Sequence, residues 1–295
     1  MAACCGTIGS NNVNRPNFSN SLYALRHHYP EYAIEAAGLG LLIMSAVANT
    51  LLWKHPDSPL SAAIVDPMLQ RLGIGVGMGL TIVTLVYSQW GMRSGAHFNP
   101  VVTLTFFCLG KVKRWDAFFY ILFQFLGGSI GLFLAAKIFG SALAHPAINY
   151  IVTKPGSLGI GVAFCAELAI SFGLMLMVLI VSNSPSRGRY TGLFAALLVA
   201  TYITFESPLS GSSMNPARSL ASALPAGQSQ DLWIYFMAPP AGMLLAAETY
   251  LRSNGNRSVH CAKLNHPIGV PCIFRCNYTM NLTNGLSDSF DRIGK

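Results

Sequence analysis

Long apolar runs separated by short polar breaks make up most of the chain. Runs close to the roughly 20 residues that cross a bilayer lie at about 32–53, 69–90, 115–139, 159–182, 190–206 and 231–251. They predict six membrane-spanning helices. Pro239 and Pro240 fall inside the sixth run, which is tolerated in lipid because neighbouring helices satisfy the freed carbonyls. The second run carries Gly73, Gly75, Gly77 and Gly79, small residues that let helix backbones approach closely. Residues 1–30 are polar, rich in Asn and Ser, and predicted to form a poorly ordered tail; residues 253–295 form a second polar tail.

Two shorter apolar segments break this pattern. Val101 to Leu109 stops at Gly110, and Ala217 to Leu224 stops at Pro225. Each follows the same motif, Ser94-Gly95-Ala96-His97-Phe98-Asn99-Pro100 and Ser210-Gly211-Ser212-Ser213-Met214-Asn215-Pro216. Asn is a favoured helix N-cap and Pro a favoured first helical residue. Each Asn-Pro therefore starts a helix of about two to three turns, too short for an apolar core about 30 Å thick. One such dipeptide caps many ordinary helices. Two, at matching places in two halves of a membrane protein, point to half-helices aimed at one site.

Three spans per half is an odd number, so the halves have opposite orientations, an inverted 3+3 repeat over about 31–140 and 159–252. The fold class that follows is an all-α membrane protein with six transmembrane helices and two re-entrant half-helices. Composition agrees: the chain is 52% hydrophobic and 10% charged, against about 25% charged in soluble domains. The net charge of +8 distributes by side. With both termini cytoplasmic, Arg15, Arg26, Arg93, Lys111, Lys113, Arg114, Arg187, Arg189, Arg252 and Arg257 face inward, and Lys54, Lys137 and Lys154 outward. The basic excess is thus read as membrane orientation and not as nucleic-acid binding. The seven cysteines form no extracellular disulfide framework, with Cys4 and Cys5 at the N-terminus and Cys108 and Cys165 in apolar segments. No cleaved signal peptide is evident, and the first apolar run is read as a retained span.

Inversion brings Asn99 and Asn215 together near the midplane, where irregular backbone survives only against protein or a water-filled cavity. Each helix N-terminus carries about half a positive charge. Two of them facing a narrow lumen oppose a cation or hydronium and leave a neutral solute unaffected. Arg218, one turn into the second half-helix, is predicted to face the lumen on its outer side, the alternative being a side chain that snorkels to the interface. Glu35 and Glu167 lie isolated, early in the first span of each half. They are read as acceptors for the loops that enter the half-helices, not as a proton relay.

The doubled motif with Arg218 resembles the aquaporin family, the major intrinsic proteins, over about residues 31–252. Val86-Tyr87-Ser88, Ser94 to Pro100 and Pro208 to Leu220 look most like its nodulin-like and glycerol-conducting branches. The resemblance implies the aquaporin fold, with pore motifs Asn99-Pro100-Val101 and Asn215-Pro216-Ala217. It also implies a homotetramer with one pore per subunit, passing water and small uncharged solutes passively. Four positions of the family's outer constriction carry over: Arg218, Ser212, Ile203, and Met78 if the loop before Asn99 has one extra residue, or Gly79 without it. The match at Val86-Tyr87-Ser88 favours Met78. Water-selective members have a large aromatic residue and a His here. Ile, Ser and Met make a wider, less polar ring, which favours glycerol-like polyols or undissociated metalloid acids, with water also passing. Val101 replaces the family's usual Ala and adds bulk where the half-helices abut. The compact form and uncleaved N-terminus point to the plasma (inner) membrane of a bacterium.

In the C-terminal tail, Cys261, His266, Cys272 and Cys276 follow the spacing Cys-x4-His-x5-Cys-x3-Cys, which fits no standard zinc finger. On the reducing side of a membrane they either close a tetrahedral zinc site, ordering the tail and gating the inner mouth, or belong to an ordinary reduced-thiol tail. No other cofactor is expected. Glycosylation sequons at Asn256, Asn277 and Asn281 are read as chance on a cytoplasmic tail. A secondary transporter is the alternative function, since broken helices and inverted repeats also build those, but it needs midplane carboxylates beyond Glu35 and Glu167. No base and nucleophile are grouped in the spans to suggest an enzyme.

Overall fold

The computed structural model describes residues 21–267 and 269–277, and among them all regular structure is helical. The first span, α1 (Ser21–Lys54), starts well before residue 32, so residues 21–30 are helix and not part of a loose tail. Polarity concealed this because the segment is held by specific partners. Tyr32 Oη donates to Asp116 Oδ1 at 2.6 Å, and His28 Nδ1 meets the same oxygen at 2.7 Å. Arg93 Nε pairs with the buried Glu31 at 2.8 Å. Residues 1–20, with Cys4, Cys5 and Arg15, lie outside the described residues.

A short α2 (Pro59–Ala63) leads to α3 (Pro67–Tyr87), whose N-cap Asp66 accepts from Met68 N and Leu69 N. The second apolar run does not continue as one helix. It breaks at Ser88, which caps α4 (Gln89–Ser94) by accepting from Gly91 N at 3.0 Å. The first half-helix is α5 (Pro100–Cys108), followed by the long α6 (Arg114–Phe139). The second half contains α7 (Ile160–Ser182), α8 (Thr191–Phe205), the single turn α9 (Ser207–Ser210), the half-helix α10 (Pro216–Ala226) and α11 (Leu232–Asn254). Helix α10 runs past Pro225 and ends where Gly227, at φ 64°, supplies a left-handed cap. Pro239 and Pro240 sit inside α11 as the sequence suggests.

Helices α1, α3, α6 and α7 are long and apolar enough to cross a membrane. Helix α8 has only 15 residues, and α11 combines its two prolines with Glu248 and Arg252. Leu80, Phe133, Ile138, Leu197 and Phe205 point outward with 59–65% of their surface exposed. A girdle of that kind belongs against lipid.

The two halves correspond element by element, α1, α3, α5 and α6 to α7, α8, α10 and α11. Helix α1 packs along α6 as α7 packs along α11, and α3 meets α8 between the halves. Each half-helix also crosses over: α5 packs on α11 and α10 on α6, which interlocks the repeats. Small residues set the closest approach. A Cβ on Gly127 would overlap the Ala36 carbonyl, and one on Gly131 would lie 2.5 Å from Gly40 Cα. Gly127→Val is therefore expected to push α1 from α6 and cost about 1–3 kcal/mol. A thermal unfolding scan of the detergent-solubilised variant, read as a lowered midpoint, checks this.

Candidate functional site

The site begins with two caps. Asn99 Oδ1 accepts from Val101 N at 2.9 Å, and Asn215 Oδ1 accepts from Ala217 N at 3.1 Å and Arg218 N at 3.3 Å. Each carboxamide then reaches across to the other repeat. Asn99 Nδ2 donates to Met214 O and Asn215 Nδ2 donates to Phe98 O, both at 2.8 Å. The half-helices thus meet N-terminus to N-terminus. At about 1.5 Å per residue they span together about 30 Å, the thickness of the apolar core. Each Asn amide keeps a second hydrogen that the cross-link does not use.

The loops entering the half-helices are strained in the same way. Ala96 and Phe98 have φ of 57° and 46°, and Ser212 and Met214 have φ of 53° and 54°. Non-glycine residues adopt this region at a cost, and persist there only where the surroundings hold them. Here a buried carboxylate holds each loop. Glu35 Oε1 accepts from Ser94 Oγ at 2.8 Å and His97 N at 3.1 Å, and Oε2 from Phe98 N at 2.6 Å. Glu167 repeats the pattern with Ser210 Oγ at 2.8 Å, Ser213 N at 2.7 Å and Met214 N at 2.8 Å. One tyrosine completes each cradle: Tyr120 Oη donates to Ser94 O at 2.7 Å, and Tyr235 Oη donates to Ser210 O at 2.5 Å. Sequence reasoning missed both. It also missed Gln124, which donates to Glu35 Oε2 at 2.8 Å, and the buried Glu206, which accepts from Ser210 Oγ beside Glu167.

A continuous lumen of about 510 Å³ runs past the paired caps. Met78, Ile203, Ser212 and Arg218 all line it. Of the two registers considered for the second span, Met78 reaches the lumen, whereas Gly79 is buried against the Ala196 carbonyl of α8. Arg218 lines the lumen and does not snorkel outward, and its Nη1 is buried with no hydrogen-bond partner among the described residues. Ser212 Oγ, also buried, makes no hydrogen bond of normal geometry. Val101 is 2% exposed and does not line the lumen, while its neighbour Val102 does. The bulk expected at the junction of the half-helices is therefore taken up in packing and not in the passage.

Lys54, Arg71 and Lys154 border one mouth of the lumen, Arg71 having been passed over because it lies within an apolar run. Its Nε donates to Thr204 O at 2.9 Å. At the opposite end Leu264 from the C-terminal tail enters the lumen wall beside His97. Cys261, His266, Cys272 and Cys276 come together in that tail, with ligand atoms all within 4.8 Å of one another.

Six principal helices, four of them long and apolar enough to cross a membrane, two interlocked half-helices and a lumen through their junction define a membrane channel. Residues 26–250 match the family model of the major intrinsic proteins, and the chain belongs to that family. It is an integral membrane channel for water and small solutes and not an enzyme. A glycerol uptake facilitator protein-like 6 of Lactiplantibacillus plantarum is 36% identical over 190 residues, 63% of this chain and 87% of that protein. Aquaporin NIP2-2 of Zea mays is 31% identical over 266 residues, 85% of this chain and 87% of that protein. Among solved structures, the aquaglyceroporin from Plasmodium falciparum superposes with a TM-score of 0.63 at 20% identity, covering 76% of this chain and 95% of that one. That likeness speaks for the fold.

Proposed function

We propose that the channel passes glycerol-like polyols or undissociated metalloid acids, with water, and excludes ions and protons. The observation that carries this reading is the mixed wall of the outer constriction. Met78 and Ile203 offer apolar surface to the lumen, while Ser212 and Arg218 offer polar groups, and Arg218 Nη1 has no hydrogen-bond partner among the described residues. A buried polar atom left unmatched calls for an explanation. A passing hydroxylated solute supplies one, shedding its water against the apolar wall while its hydroxyls meet the donors. The likeness to a glycerol uptake facilitator protein points the same way.

Ion exclusion follows from charge. Both half-helix N-termini aim their partial positive charge at the lumen, and Arg218 adds a full one, so a cation meets repulsion from three directions. A coupled transporter would need carboxylates facing the solute. Glu35 and Glu167 instead spend both oxygens on the loops, and neither lines the lumen. The basic bias of its loops supports both termini being cytoplasmic, and the membrane is read as the plasma (inner) one. It assembles as a homotetramer with one pore in each subunit.

Stopped-flow light scattering on proteoliposomes tests the solute. An osmotic step with an impermeant solute and an inward glycerol gradient are both expected to give fast flux. Met78→Phe with Ser212→His, which narrows the ring and fills its polar side, is expected to cut glycerol permeability by about tenfold or more while water still passes. Water flux without glycerol flux in the unaltered protein overturns the wide constriction.

A further inference from the structure

The C-terminal segment after α11 contains no helix or strand from residue 255 to 267 or from 269 to 277, yet it packs like core. Cys261, Ala262, Lys263 and Leu264 are all buried, and Phe274 is 6% exposed. Its anchors run along the inner face of the first repeat. Ala262 O meets His97 Nε2 at 2.7 Å, Leu264 N donates to Gly95 O at 3.1 Å, and Arg275 N donates to Lys111 O at 2.9 Å. Phe274 stacks on His97 with ring centroids 5.4 Å apart, and a Cβ on Gly95 would lie 2.9 Å from its ring. His260 N reaches the end of α7, donating to Asn183 Oδ1 at 2.6 Å.

Irregular chain of this length has no backbone ladder of its own, and a cross-link would add to these anchors. The four soft side chains supply a candidate. Cys261 Sγ lies 3.5 Å from Cys272 Sγ, and Cys276 Sγ 3.2 Å from His266 Nε2, with all four atoms inside 4.8 Å. Ligands placed tetrahedrally around zinc at about 2.3 Å for sulfur and about 2.0–2.1 Å for nitrogen stand about 3.5–3.8 Å apart. The observed separations bracket that range. Three thiolates and one imidazole select zinc among the common divalent ions, and a closed four-ligand set without an open position is structural. The Cys261–Cys272 separation is well beyond the about 2.05 Å of a disulfide.

We propose that Cys261, His266, Cys272 and Cys276 bind one zinc ion, and that the folded knuckle seats Leu264 in the inner mouth as a throttle. The knuckle mirrors the other end of the channel. There the loop around Pro146 to Gly156 lines the outer vestibule, and Thr153 Oγ1 donates to Ser219 Oγ, at 2.8 Å, in the second half-helix. Among the described residues no such loop lines the inner mouth, and the tail lines it instead. The zinc site stands apart from the solute reading. The throttle rests on the channel being open to glycerol and water.

Full-length protein purified without a polyhistidine tag and analysed for metals tests the site directly. About one zinc per chain is expected, falling to background in Cys272→Ser/Cys276→Ser. Zinc absent from the unaltered protein, zinc retained by that double variant, or a Cys261–Cys272 disulfide found by mass spectrometry each overturns the site. In proteoliposomes the double variant and a chain cut after Asn254 are expected to raise water and glycerol permeability by about two- to threefold. Leu264→Ala is expected to do the same while keeping its zinc. Unchanged permeability in all three, with zinc lost as expected from the first two, overturns the throttle and leaves the metal site. Water flux without glycerol flux in every sample indicts the solute reading alone.

Discussion

Glu35→Leu is expected to abolish the folded channel, and Glu167→Leu to do the same from the other side of the junction. Glu35 receives four donors: Ser94 Oγ, His97 N, Phe98 N and Gln124 Nε2, at 2.6–3.1 Å. Leucine keeps the volume and removes every acceptor. A buried donor left unmatched costs about 1–3 kcal/mol, so four cost about 4–12 kcal/mol, comparable with the about 5–15 kcal/mol that holds an ordinary domain together. The left-handed residues Ala96 and Phe98 would also lose the group that holds their conformation. Glu35→Gln exchanges one acceptor for a donor and is expected to fall between the two. The readout is the yield of monodisperse detergent-solubilised protein and its unfolding midpoint. Leucine variants that purify normally and conduct like the unaltered chain would show that the carboxylates do not hold the loops.

These cradles also show which parts of the molecule sequence reasoning reached. Capping is local chemistry, so Asn99 and Asn215 were legible from the residues beside them, and the odd number of spans per half forced the inversion that brings them together. The carboxylates were legible because a charge in an apolar run demands partners. Their partners were not, because those contacts are long-range. Tyr120 and Tyr235, however, donate to Ser94 and Ser210 across separations of 26 and 25 residues. An alignment of the two repeats upon each other would have exposed that near-identical spacing. Residues 21–30 were misread for the converse reason. Their polarity resembles a solvated tail, but Asp116 and Glu31 pair with His28 and Arg93 and so make part of that polar surface interior. Arg71 was hidden by its apolar neighbours, and the bulk of Val101 was assigned to the junction because only packing shows that it turns away from the lumen.

Arg218→Ala is expected to open a measurable leak of protons and sodium through the pore. The guanidinium lines the lumen one helical turn from the Asn215 cap, with Nη1 unpartnered among the described residues. A monovalent cation passing about 5 Å from it, at an effective dielectric of about 20, meets about 3 kcal/mol of repulsion, a factor of about a hundred in occupancy. Removing the side chain removes that barrier and widens the ring at once. The two half-helix dipoles remain, each worth about half a charge, so the leak stays below that of an open aqueous pore. Glycerol permeability is expected to hold or rise, because the lost donor matters less to a neutral solute than the gained width. Proteoliposomes loaded with a pH-sensitive dye and held under a potassium diffusion potential give the proton flux, and the same vesicles give glycerol flux by light scattering. Arg218→Lys, which restores charge without the planar fork, is expected to recover most of the ion exclusion and less of the solute discrimination. An Arg218→Ala channel that stays ion-tight would assign exclusion to the facing helix termini alone and leave Arg218 with the solute.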